Sequence, residues 1–173
     1  MAKTELHGYT VQEKLNKMSV DLIDVDVVTD ADASGEPLAI VTEIPNAVAV
    51  KGGTAILQSC MFLSNKVLTD SFDVVITSKA DQLQNSSSDL VVTDNVQVSA
   101  LNTTSAVMAG TCGTFSINSL YDAGAVAIGD KRNIGMVCKA ESDSTSLYFW
   151  MIAKGSTDWA EDTGVMRFGF IKD

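Results

Sequence analysis

From Val20 onward the chain follows a period of two, and that period restricts the possible folds more than any other feature. In Val20-Asp21-Leu22-Ile23-Asp24-Val25-Asp26-Val27 polar and apolar residues nearly alternate. Successive side chains of a strand point to opposite faces, so this spacing sets aspartates on one face and aliphatics on the other. Similar runs, rich in Val, Ile, Thr, Tyr and Phe, recur at 38–43, 54–64, 72–77, 89–92, 96–101, 114–117, 134–140, 145–153 and 164–171. These residues suit a pleated, half-buried surface. Turn signals separate the runs: Ala33-Ser34-Gly35-Glu36-Pro37, Lys51-Gly52-Gly53, Asn85-Ser86-Ser87-Ser88-Asp89, Gly129-Asp130 and Asp162-Thr163-Gly164. A parallel α/β fold would need helical patterns of about 10–15 residues between strands. The only mid-chain helical candidate is 118–125, with Asn118 or Ser119 as a cap and Leu120 and Tyr121 in the turn. The expected fold is all-β: a single-domain antiparallel β-sandwich, either a jelly roll or an immunoglobulin-like arrangement.

Residues 1–19 break this pattern. They hold Lys3, Lys14, Lys17 and the only histidine, His7, and place Val11, Leu15 and Met18 at helical spacing. The expected division is therefore an N-terminal arm or short helix over 1–19 and a β-sandwich domain over 20–173. At 173 residues with 46% hydrophobic and 20% charged, the chain can bury a substantial core without metals or disulfides.

Charge narrows the partners. Asp and Glu outnumber Lys and Arg 22 to 12, for a formal net charge of −10, and the cations are scattered. Phosphate backbones and anionic membranes select basic faces, so neither nucleic acid nor a membrane is an expected partner. No run approaches the ~18 apolar residues of a membrane span, and no apolar stretch resembling a signal peptide opens the chain. The expected place of synthesis is a cytoplasm. Cys60, Cys112 and Cys138 are odd in number and far apart, which predicts free thiols.

No residue pattern singles out a reaction centre. A catalytic triad would have to use His7 in the polar N-terminal segment. Lys51-Gly52-Gly53-Thr54 has the letters of a phosphate loop in the wrong order and reads as a turn before a strand. Acidic pairs will be common among 22 carboxylates, yet none is marked as buried, and aromatics for a sugar cleft are only 6%. Asp30-Ala31-Asp32-Ala33-Ser34-Gly35 matches the first half of a calcium loop, but the twelfth position is Val41, and Glu43 comes two residues late. That segment reads as a polar hairpin turn, with calcium at Asp30 and Asp32 left open. No catalytic, cofactor-binding or metal residue is assigned, no cofactor is expected, and the chain is read as a non-enzyme. Tyr148, Phe149, Trp150, Trp159, Phe168 and Phe170 make the C-terminal third aromatic. Part of this set is expected in the core, with a sugar platform or a subunit interface as the alternatives.

A set of blocks in order carries a resemblance. These are Gly52-Gly53-Thr54-Ala55-Ile56-Leu57-Gln58-Ser59, Phe72-Asp73-Val74-Val75-Ile76, Arg132-Asn133-Ile134-Gly135, Ser144-Thr145-Ser146-Leu147-Tyr148 and Met166-Arg167-Phe168-Gly169-Phe170-Ile171-Lys172-Asp173. From about residue 38 to the C-terminus their order resembles that of small β-rich virion proteins of tailed bacteriophages, of the capsid decoration or cement type. The resemblance implies a jelly roll on the outer capsid surface, commonly a homotrimer, with the major capsid protein as partner. It implies no catalytic residue. Other virion roles (head fibre, neck or tail accessory) and a carbohydrate-binding sandwich are the alternative readings.

Overall fold

The structure is a computed structural model that describes residues 20–31, 37–65, 70–79, 83–84, 100–101, 110–118, 120–124, 126–155 and 159–172. The expected N-terminal arm, the strand at 89–92, most of that at 96–101 and the centre of the candidate calcium loop lie outside these residues. The described chain forms eleven strands and no helix. They are β1 (Val20–Ala31), β2 (Pro37–Ile44), β3 (Thr54–Ser64), β4 (Phe72–Thr77), β5 (Leu83–Gln84), β6 (Ala100–Leu101), β7 (Thr111–Ile117), β8 (Tyr121–Asp122), β9 (Ala127–Lys139), β10 (Leu147–Ala153) and β11 (Trp159–Lys172).

Two antiparallel sheets carry the architecture, in the orders β1-β11-β3-β9-β8 and β2-β10-β4-β7. The pairing is nested. β1 lies beside β11, β2 beside β10, β3 beside β9, and β4 beside β7. A long hairpin ladder wrapped so that successive pairs fall in alternate sheets gives this order, which is the jelly roll. The expected all-β sandwich is borne out, and of its two forms the strand order selects the jelly roll over the immunoglobulin arrangement.

The period-two pattern does its work between the sheets. Val25, Val27, Leu57, Cys60, Phe62, Met166, Phe168 and Phe170 of the first sheet meet Leu38, Ile44, Phe72, Val74, Ile76, Leu147, Phe149 and Met151 of the second in one core. Two aromatic contacts bridge the layers. Phe62 meets Phe72 edge-on at 5.2 Å between ring centroids, and Phe149 meets Phe168 at 4.9 Å. Such pairs add about 0.5–1.5 kcal/mol to the gain from burial alone.

One sequence expectation is corrected. The helical candidate at 118–125 is a hairpin, with Tyr121 opposite Ile128 and Asp122 opposite Ala127. The Gly124 N–H donates to Asp122 Oδ1 at 2.6 Å, and the Ala123 N–H donates to the Val126 carbonyl at 2.9 Å. Gly124 has φ +92°, a conformation open to glycine and closed to a helix. By contrast, Lys51-Gly52-Gly53 is the turn its sequence suggests. The Gly52 N–H reaches the Ser144 carbonyl at 3.0 Å, and the Gly53 N–H reaches that of Val50 at 2.9 Å.

Candidate interaction surface

The register of the first sheet collects its outward side chains into four rows across the strands. Val20, Ile171, Ile56 and Val137 form the first row, and Leu22, Gly169, Ser59 and Arg132 the second. Asp24, Arg167, Met61 and Asp130 form the third. The fourth is Asp26, Val165, Leu63 and Ile128, extended by Tyr121. An antiparallel sheet with one face on the core normally turns polar residues to water on the other. Here most outward positions are apolar. Among the described residues the large exposed hydrophobics are Val20, Leu22, Val50, Tyr121 and Val137, and all but Val50 stand on this face. Their exposures of 48%, 63%, 71% and 65% mark a surface that no described residue covers. Apolar surface gathered this way on a monomer characterises interaction sites.

The aspartates of β1 follow this geometry and not the simple division their spacing suggests. Asp24 and Asp26 share the outward face with Val20 and Leu22. Asp21 has the parity of the buried residues, and at the strand end its carboxylate pairs with Lys172 at 3.2 Å.

The polar residues of the face are ordered by ion pairs. Arg167 donates to both carboxylate oxygens of Asp24, at 2.6 and 2.9 Å. That hydrogen bonding holds the Asp24 carboxyl below the ordinary carboxylate range and raises Arg167. Arg132 pairs with Asp130 at 2.7 Å. A groove of about 230 Å³ runs between these pairs, lined by Leu22, Ser59, Met61, Asp130, Arg132 and Arg167 among others. Gly169 keeps the face flat: a Cβ there would run into Ser59 Oγ and lie 3.0 Å from Val20 Cγ1. In β9 the ladder skips from Arg132 to Met136, with Asn133 and Gly135 at positive φ, so the edge of the face bulges there.

Other features sort differently. An apolar pocket of about 550 Å³ opens at the end of the first sheet between Val27, Leu63, Val126 and Val165. A polar cleft of about 510 Å³ lies between Lys51, Ser78, Lys139 and Glu141, where the Ser78 hydroxyl donates to Glu141 at 3.0 Å. Among the described residues no group of three or more His, Cys, Asp or Glu is placed to hold a metal. His7 and Asp32 lie outside them. All three cysteines are free thiols, as their spacing implies. Cys60 is buried, and burial pushes its thiol well up. Cys112 of β7 and Cys138 of β9 are hydrogen-bonded across the edge where the sheets meet. That contact lowers Cys112 to about 7 and raises Cys138, which burial raises further.

The aromatic set divides by parity. Phe149, Phe168 and Phe170 are in the core. Trp150 points the other way and is still only 1% exposed, in a second cluster with Val75, Val41 and Ile152. Its indole N–H has no hydrogen-bond partner among the described residues. Burial removes Phe149, Trp150, Phe168 and Phe170 from any sugar platform. Tyr121, which the sequence reading placed in a helical turn, is the large aromatic exposed among the described residues.

Among the described residues, fold and surface define a jelly-roll sandwich whose first sheet has an apolar outer face. No protein-family model matches the chain, and no curated protein sequence matches it. Among solved structures it is similar to a chain of Desmodium yellow mottle tymovirus at 12% identity, over 89% of this chain and 86% of that one, with a TM-score of 0.26. A chain of the Israeli acute paralysis virus particle gives 6% identity, 99% and 81% coverage and a TM-score of 0.30. The Clostridium thermocellum xylanase 10B CBM22-1–GH10 modules, complexed with xylohexaose, give 10% identity over 88% of this chain and 26% of theirs, with a TM-score of 0.26. Scores this low carry no argument about fold or role, and the jelly roll rests on the strand order of this chain.

Proposed function

We propose that this chain is a virion structural protein, a capsid decoration (cement) protein that binds and stabilises an assembled phage head without catalysing a reaction. The observation that carries the reading is the apolar outer face of the first sheet, which offers an interaction surface on a jelly roll. The block order from about residue 38 onward supports the phage assignment. The partners on this reading are the major capsid protein and further copies of this chain, a homotrimer in the proteins it resembles. Its place is the capsid surface after synthesis in the host cytoplasm. A protein that binds the assembled lattice and not the free subunits stabilises the lattice by mass action. Several weak contacts per particle add avidity, because each further contact is intramolecular. Residues 1–19 act as an arm that reaches the capsid or a neighbouring copy. Head-fibre, neck or tail roles use the same fold at another address. A carbohydrate-binding module is weakened as a reading by the burial of Trp150.

The test is co-sedimentation of the purified chain with phage shells lacking it, comparing expanded with unexpanded shells. Saturable binding to expanded shells alone is expected. Absence of binding to either form overturns the cement role. Unchanged shell binding after deletion of residues 1–19 overturns the arm.

A further inference from the structure

We propose that Cys112 and Cys138 are a dithiol pair placed to close into a disulfide that ties the two sheets together at their β7/β9 edge. A bulge in β7 aims the first of them. Ile76 pairs with Gly113 and Thr77 with Thr111, so Cys112 is the extra residue between two rungs. Strict alternation from Phe115 and Ile117, which face the core, would turn Cys112 outward. A bulge re-aims a side chain, and here it packs Cys112 against the core. Its sulfur meets the Cys138 thiol and accepts the Lys139 N–H of β9. Gly113 lets the two strands approach, since a Cβ there would lie 2.8 Å from Met136 Cε of β9. Cys138 is fully buried opposite Ala55, and its sulfur accepts the Leu57 N–H. β7 is the last strand of its sheet. β9 carries only β8 beyond it, and β8 pairs with Ala127 and Ile128, far from Cys138. The bond would therefore join two sheet edges through cysteines 26 residues apart in the chain.

Exposure divides the chemistry between the two thiols. Cys112 is half-buried and can be reached from solvent, whereas Cys138 is buried. Cys60 lies five residues along β3 from the Ala55 that faces Cys138, about 16 Å away, and takes no part. The oxidant is, by class, a small-molecule disulfide such as glutathione disulfide. The Cys112 thiolate attacks one of its sulfurs, forming a mixed disulfide and releasing one small thiolate. The Cys138 thiol then gives up its proton and attacks the Cys112 sulfur, and the second small thiolate leaves and takes up the proton. Two protein thiols are oxidised and one small disulfide is reduced to two thiols. The lowered Cys112 favours the first attack, and capping it removes the charge that raises Cys138. A reducing cytoplasm keeps the pair open. On the virion reading, on which this consequence rests, the bond forms when particles leave the host and locks the sheets after assembly.

The test uses the full-length chain and no shell, so its outcome is separate from that of the cement role. Reduced protein is incubated with glutathione disulfide in the absence of denaturant. Remaining thiols are then blocked with N-ethylmaleimide in urea, and peptides are mapped by mass without reduction. A Cys112–Cys138 linked peptide is expected, with Cys60 recovered as a blocked thiol. Cys138→Ala is expected to stop at the mixed disulfide, with one glutathione on Cys112, and Cys112→Ser to form no bond. The oxidised wild type is expected to unfold at a urea midpoint about 1–2 M above the reduced form, because closing a loop of this length restricts the unfolded chain. A phosphine reductant is expected to reverse the shift. Thiols left free, glutathione retained on Cys112 of the wild type, a bond that involves Cys60, or a Cys112–Cys112 bond between copies each overturns the proposal. So does a midpoint that oxidation leaves unchanged or lowers. The wild-type map and midpoint decide the matter even where Cys138→Ala fails to fold. A chain that forms the bond and ignores shells keeps this disulfide and removes the cement role.

Discussion

Truncating Phe168 to alanine tests whether the two sheets are held by the packing described. Phe168 is fully buried on β11, 4.9 Å from the ring of Phe149 on β10 and 6.3 Å from that of Phe170. Removing a buried phenyl ring forfeits its transfer free energy and leaves a cavity that a rigid sandwich fills poorly. The loss is about 3–5 kcal/mol. With a urea m-value of about 2 kcal/mol per molar, the midpoint falls by about 1.5–2.5 M, measured at fixed protein concentration so that self-association does not contribute. Phe149→Ala is expected to cost a similar amount. The double variant is expected to lose less than the sum by about 0.5–1.5 kcal/mol, because the pair can be broken only once. If Phe168→Ala does not fold, Phe168→Leu keeps most of the volume and is expected to cost less than about 1.5 kcal/mol. A midpoint shift below about 0.5 M for the alanine variant, or strict additivity with Phe149→Ala, refutes the inter-sheet contact as a source of stability.

Trp150→Phe keeps a ring in the second cluster and removes an indole N–H that no described residue accepts, so it is expected to cost under about 1 kcal/mol, against about 3–5 kcal/mol for Trp150→Ala in the same urea assay. Iodoacetamide is expected to modify Cys112 first, with a half-maximal rate near pH 7, while Cys60 and Cys138 react only on unfolding; peptide mass mapping that finds Cys60 modified in the native protein contradicts this. Asp24→Asn removes a carboxylate that Arg167 holds below its ordinary value. Its stabilisation is complete above the unfolded value of about 3.9 and is lost as pH falls through the lower folded value, so the gap between variant and wild type should stay level from pH 7 to about 4 and close below that. Gly169→Ala brings a methyl group against Ser59 Oγ and is expected to cost about 1–3 kcal/mol, with part recovered in Gly169→Ala/Ser59→Gly.

The strands were legible in the sequence where alternation is strict. β3 and β4 coincide with the runs at 54–64 and 72–77, because their apolar residues face one core and their turns are marked by glycine or polar residues. β8 escaped notice because two residues cannot show a period, and its pairing depends on the hairpin that Gly124 permits. The burial of Trp150 was equally hidden. Its parity directs it away from the main core, and alternation alone would have exposed it. The interaction face was the least legible part. Leu22, Val137, Ile128 and Tyr121 are ordinary strand residues one at a time, and isolated exposed apolar residues mean nothing. They become a surface when the register aligns β1 with β11 and β3 with β9, across about 60 to 150 residues of chain. Pairing over such distances leaves no local trace.

The nesting of strands has a consequence for synthesis on the ribosome. β1 is the first strand made and β11 the last, so Val25 waits for Met166 while roughly 140 residues are added. At about 5–20 residues per second that wait is about 7–30 s. Throughout it the nascent chain carries an aliphatic strand with both edges open, the kind of segment that seeds misassembly with neighbouring chains. Asp21, Asp24, Asp26 and Asp30 interrupt that strand with four negative charges, the gatekeeper pattern that keeps an unavoidable hydrophobic run soluble. Two of these charges acquire their cations, Arg167 and Lys172, only when β11 arrives. The aspartates of β1 thus repel other copies during translation and lock the sandwich closed at its end.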